Sequence, residues 1–191
     1  MRTSIIGLLL LSFGFMASAE PWSIDNDSSN ISFISIKKVD VAEINHFKTF
    51  SGQLTEQGHF TLTIELASVW TNVDIRDSRL KDILFEVGAF PKLTLNATVD
   101  MAKLANIKVG DTGVMEIAAD INLHGKMQTK TLFVTVAKLS EQRLLVSSTQ
   151  PTIVNAAQYG LSSGIDKLRD IAGLTSISKS VPVSFILNLS R

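Results

Sequence analysis

Apolar and polar residues alternate with a period of two over most of this chain, the pattern of strands that bury one face. Residues 59–66 set Leu62, Ile64 and Leu66 against Thr61, Thr63 and Glu65. Residues 93–101 oppose Leu93, Leu95, Ala97, Val99 and Met101 to Thr94, Asn96, Thr98 and Asp100. The same alternation aligns Ile117, Ala119, Ile121 and Leu123 in 113–123, then Leu132, Val134 and Val136 in 126–138, and Val183, Phe185, Leu187 and Leu189 in 181–189. Residues 30–38, with Phe33, are rich in β-branched and aromatic side chains. Residues 41–55 form a second extended run in which Gly52 suits a bulge or bend, and 143–150 complete the set. Gln57-Gly58, His124-Gly125 and Ser140–Gln142 are the turns. Links this short join antiparallel neighbours, because parallel strands need long crossovers. The expectation is an all-β domain of eight antiparallel strands, closed as an up-and-down barrel or packed as a sandwich. Strands of about 9 to 13 residues would run roughly 30–40 Å.

Two segments break the alternation. Residues 74–86 read as a helix, with Leu80, Ile83, Leu84 and Phe85 as an apolar stripe and Arg76, Asp77 and Lys81 elsewhere on the wheel. Asp77 precedes Lys81 by four residues, the favourable order on an exposed helix face, and Asp74 suits the helix start. The charges are therefore read as a solvated surface and the stripe as a lid over an open barrel end, with Arg76 and Arg79 the two groups placed to meet a ligand headgroup. Residues 162–174 are a second helix, with Ile165, Leu168, Ile171 and Ala172 on one face and Gly173 at the C-cap.

The first residues change the picture of where the chain works. Arg2, the apolar run from Ile5 to Met16 and Ala17-Ser18-Ala19 have the order of a cleavable secretory signal. Residues 1–19 are expected to be removed, leaving 20–191 as one barrel domain in the periplasm. Apart from that run, no segment is long and apolar enough for a membrane helix. The 18 basic residues match 18 acidic ones, so no basic excess exists to hold a nucleic-acid backbone. With no cysteine the chain has no disulfide, thiol nucleophile or thiolate metal site.

Catalytic signals are thin. His46, His59 and His124 form no close ligand pair, so they are read as surface histidines and no metal site is expected. No G-x-S-x-G elbow occurs, and Leu161-Ser-Ser-Gly164 shares only its residue types. The inward sets, by contrast, are nearly all Leu, Ile, Val and Ala. If they line a cavity rather than fill a core, that cavity is dry and its ligand apolar. Its candidate wall is Phe33; Leu62, Ile64 and Leu66; Leu95 and Val99; Ile117 and Ile121; Val134 and Val136; and Phe185 and Leu187. The lid adds Arg76, Arg79, Leu80, Leu84 and Phe85.

Taken in order, the motifs resemble the YceI family of bacterial periplasmic proteins. They run from Trp22-Ser-Ile-Asp25 and Ser29-Asn-Ile-Ser-Phe33 through Phe50-Ser-Gly52, Gly58, Ser68-Val-Trp-Thr71, Ile75-Arg76-Asp77, Leu84-Phe85-Glu86 and Phe90-Pro91. Gly113, Leu123-His-Gly125, Tyr159-Gly160 and 181–189 complete the set. The resemblance implies an eight-stranded lipocalin-like barrel with one or two short helices. It also implies a long-chain amphiphilic ligand, typically an isoprenoid quinone or polyprenyl phosphate, with no cofactor and no catalytic residues. Two other classes stay in play. An outer-membrane β-barrel would fit the strand count and the signal, but aromatics make up only 7% of the chain, too few for interfacial girdles. A lipid-modifying enzyme would have to rely on Arg76, Asp77 and Arg79 at the mouth.

Overall fold

A computed structural model describes residues 20–191. The signal peptide expected at 1–19 lies outside the described residues. Eleven strand segments are β1 (Trp22–Lys37), β2 (Val41–Phe47), β3 (Phe50–Leu54), β4 (His59–Glu65), β5 (Val69–Trp70), β6 (Lys92–Thr98), β7 (Thr112–Leu123), β8 (Lys126–Ser140), β9 (Arg143–Ser148), β10 (Thr152–Asn155) and β11 (Ser180–Ser190). Helix α1 (Asp74–Arg79) runs into a π-helical turn over Leu80–Leu84, followed later by α2 (Met101–Ala105) and α3 (Ser162–Ile171).

Every pairing is antiparallel, and β1, β3, β4, β6, β7, β8, β9 and β11 form a ring of eight. The ring closes where β1 meets β11, from Ser23 opposite Ser190 to Phe33 opposite Val183. The expected eight-stranded antiparallel barrel is the fold. The segments β2 and β10 extend it at one end. There β2 runs along the outer half of β1, and β10 along the first residues of β11.

Local departures from the expected strands have identifiable causes. The first strand begins at Trp22 rather than Asn30, and its register on β11 shifts between Asp25 and Asn30. The run 41–55 is broken between Phe47 and Phe50 into two strands. Asn26, in the shifted stretch, covers the break: its amide donates to the Lys48 carbonyl at 3.0 Å and its carbonyl accepts from the Phe50 N–H at 2.8 Å. Pro151, which lacks an N–H, separates β9 from β10. Asp100 accepts from the amides of Ala102 and Lys103, so it caps α2 and draws Met101 out of the strand expected for it. Gly173 has φ +62 and takes the left-handed C-terminal position after α3, with amide bonds from Gly173 to Asp170 and from Leu174 to Arg169.

Gly52 makes no bulge; it pairs in regular register with Leu62. Its role is close approach. A Cβ there would lie 2.3 Å from the Thr61 carbonyl oxygen and 2.7 Å from Ile24 Cδ1. We expect Gly52→Ala to destabilise the domain by about 1–3 kcal/mol. Urea unfolding should show a lower midpoint at unchanged slope. A midpoint equal to the parent's would mean that β3 and β4 do not pack this closely.

Candidate functional site

The inner face of the ring is not filled. It surrounds a cavity of about 460 Å³, within the roughly 300–1,000 Å³ of small-molecule sites. Every wall position named from the alternation lines it, from Phe33 on β1 and Leu62 and Ile64 on β4 to Phe185 and Leu187 on β11. The five lid residues, Arg76, Arg79, Leu80, Leu84 and Phe85, border one end. At the opposite end α2 contributes the buried Leu104. Sequence reasoning missed the share of α3 and the segment after it: Leu161, Ile165, Leu168, Leu174 and Ile177 also face the cavity. Their helical spacing was legible, but not which barrel end the helix covers.

Three contacts hold the lid. First, α3 seats against the π-helical turn at Gly164, where a Cβ would fall 2.9 Å from the Ile83 carbonyl oxygen and 3.1 Å from Leu84 Cα. Second, past the turn, Glu86 (φ +47) reaches the β7–β8 hairpin. Its carboxylate lies 2.8 Å from His124 Nε2, and Phe90 packs on the same imidazole at 4.2 Å. His124, expected on the surface, is thus largely covered, with its side chain 15% exposed. Third, Asp77 departs from its expected place on the solvated face. It is 8% exposed, and its carboxylate accepts from the Thr71 N–H at 2.8 Å and the Thr71 hydroxyl at 2.6 Å. A carboxylate committed to two local donors ties α1 to the strand end before it. That is an anchoring task, and it leaves Asp77 poorly placed for acid–base work.

At the lid end the cavity wall turns polar in steps, along β1 and β2. Pairing sets Phe33 opposite Asn45 and Ser35 opposite Glu43, with Lys37 beyond. Outermost, Glu43 accepts from Lys37 at 2.8 Å and from Arg76. The hydrogen bond from the Lys37 ammonium, with the Arg76 charge adding to it, holds the Glu43 carboxyl below its ordinary range against the opposing effect of burial. One step inward, Asn45 is buried and donates to Ser35 Oγ at 3.1 Å and to the Glu43 carbonyl at 3.2 Å. A step further, Phe33, Phe47 and Phe85 make a chain of rings with centroids 5.3 and 5.9 Å apart. Beyond them the wall is aliphatic.

Lys37, Glu43, Asn45 and Phe47 were not singled out from sequence. The reason is that Ala42 and Ile44, not Glu43 and Asn45, are the apolar residues of β2, yet Ile44 is 66% exposed and Asn45 1%. Chemically, this arrangement suits holding an amphiphile: it offers a dry aliphatic chamber, an aromatic collar and one hydrogen-bonding end. Among the described residues no group of three His, Asp or Glu is placed to hold a metal ion.

Comparison with known proteins agrees with this architecture. A polyisoprenoid binding domain from Saccharophagus degradans, described as implicated in plant cell wall breakdown, superposes with a TM-score of 0.86 at 36% identity, covering 88% of this chain and 97% of that one. Burkholderia cenocepacia BcnA matches with a TM-score of 0.68 at 20% identity, covering 86% and 98% of the two chains. The Campylobacter jejuni YceI protein follows at 0.60 and 15%, covering 82% and 90%; these last two likenesses speak to the fold. No curated protein matches. The YceI-like domain model matches residues 22–189, nearly the whole described chain, and the protein therefore belongs to the YceI family.

Proposed function

We propose that this protein is a periplasmic carrier that holds a long-chain amphiphilic lipid, an isoprenoid, with its tail in the barrel and its head at the lid end. The observation that carries this reading is the cavity itself: an enclosed apolar chamber whose polar groups gather at one end. The Saccharophagus degradans relative, described as polyisoprenoid binding, supports the ligand class. Burying about five carbons per isoprene unit contributes roughly 3–4 kcal/mol gross, at about 0.8 kcal/mol per CH₂. Immobilising a flexible tail offsets much of this, so several units are needed for firm retention. The export signal read at residues 1–19 favours a compartment where such a lipid must cross water between membranes.

A membrane barrel is disfavoured by the sidedness of the wall. Outward positions include Thr61, Thr63, Glu65, Asn96, Glu116 and Asp120, while the inward ones are apolar, the reverse of a lipid-embedded barrel. An enzyme is disfavoured because the lid's buried acid, Asp77, is occupied by Thr71.

Solvent extraction of protein purified from its native compartment, followed by mass spectrometry, should release an isoprenoid in near-stoichiometric amount. Ala97→Phe, which fills space on the cavity wall, should retain the fold and lose most of that lipid. Consistently lipid-free preparations of the parent protein would sink the reading.

The mouth also carries a pH dependence. Glu43 has a depressed carboxyl, so its ion pairs stabilise the fold above the ordinary carboxylate range and are lost as pH falls through the depressed value. These side chains are about 26–32% exposed, so we expect Glu43→Gln to cost about 0.5–1 kcal/mol near neutrality. The gap between variant and parent should close in acid. Denaturant midpoints at both pH values measure it; a gap that persists unchanged in acid would contradict the ion-pair account.

A further inference from the structure

The polar step inside the mouth is built for one kind of headgroup. Both amide hydrogens of Asn45 are used, one on Ser35 Oγ and one on the Glu43 carbonyl. The carbonyl can only accept, so it fixes which end of the Asn45 amide faces it: a reversed amide would set two acceptors against each other. Asn45 Oδ1 is then left as an acceptor that is buried and has no partner among the described residues, on a side chain lining the cavity. An orphaned buried acceptor is costly, and a ligand that supplies a proton to it recovers that cost. Beside it, Ser35 Oγ accepts from Asn45, and its own O–H donates to no described residue. An acceptor and a donor thus stand side by side on the cavity wall, the complement of a group that donates one hydrogen bond and accepts another.

Resting on the carrier reading above and narrowing it, we propose that the preferred ligand ends in an uncharged hydroxyl: a prenyl alcohol or the hydroquinone form of a prenylated quinone. The head sits against Asn45 and Ser35, above the Phe33–Phe47–Phe85 collar. A ketone offers Asn45 no proton, so the oxidised quinone is bound less tightly. A phosphate presents negative charge to the same acceptor and meets the Glu43 carboxylate one step outward. The two cations there, Lys37 and Arg76, are already paired with Glu43. Arg79 lines the cavity and has no ion pair among the described residues, which makes it the one lining cation on which a phosphate could draw.

The test uses the delipidated chain, residues 20–191, and displacement of a fluorescent fatty probe by geranylgeraniol, its methyl ether and its monophosphate, which share one tail. The alcohol should bind about tenfold more tightly than the ether, with the phosphate no tighter than the ether. Asn45→Leu should bring the alcohol and the ether together. A prenylated hydroquinone should likewise bind more tightly than its oxidised quinone. Equal binding of alcohol and ether by the parent protein overturns the headgroup assignment and leaves the carrier reading standing. So does a phosphate that binds most tightly and loses that advantage in Arg79→Ala. Binding of none of the three overturns the carrier reading, and the headgroup assignment with it. The comparison of alcohol and ether on the parent protein decides the matter even if Asn45→Leu does not fold.

Discussion

The seam between β1 and β11 is the constraint on which everything else rests. A sheet of this length left open would expose two rows of unpaired amides and carbonyls; joining its first and last strands removes both. Joining also fixes which residues share the inside, because each strand's alternation is locked to its neighbours' by backbone pairing. Eight strands make a ring too wide for these mostly Leu, Ile and Val side chains to fill completely, so the interior remains a chamber. Its two ends then need covers, and the chain supplies them from the segments that do not alternate.

The covers differ in kind, and that difference sets the direction of the site. At one end α2 adds an aliphatic stopper through Leu104. At the other, α1 and the π-helical turn meet α3 over a wall that changes from aliphatic to aromatic to polar to charged within a few residues of β1 and β2. A molecule with one greasy and one polar end has a single favourable orientation in such a gradient. The charged step is self-neutralised by Glu43, so orientation comes from graded polarity and hydrogen bonding more than from net attraction.

The sequence revealed the wall well because the wall is apolar: Leu62, Ile64, Val134 and Val136 announce their face by their own chemistry. The same logic points the wrong way on β2. Hydrophobicity there marks Ala42 and Ile44 as inward, whereas the pairing of Phe33 with Asn45 carries Glu43, Asn45 and Phe47 inside. The functional strand is thus the one on which the interior ceases to be apolar, and only its register against β1 discloses it. The lid was legible as a break in alternation, and its apolar stripe as the side turned inward. Asp77 was misplaced because an i,i+4 charge pattern describes an isolated helix, and the competing donors of Thr71 lie outside that helix. The division of the 41–55 run was hidden for a similar reason: it depends on Asn26, far away in sequence.

Gly164 has one more consequence. Because it carries no side chain, α3 meets the lid backbone to backbone, against the Ile83 carbonyl and Leu84 Cα. Interfaces between larger side chains interlock, and separating them means withdrawing each knob from its socket. Here the two surfaces are smooth at the point of closest approach. They can slide or part with few rotamers to unlock, while Asp77 at one end and His124 at the other stay fastened. The roof of the chamber is weakest along a line in its middle, and a long molecule leaving the barrel would pass between the two helices as through a seam.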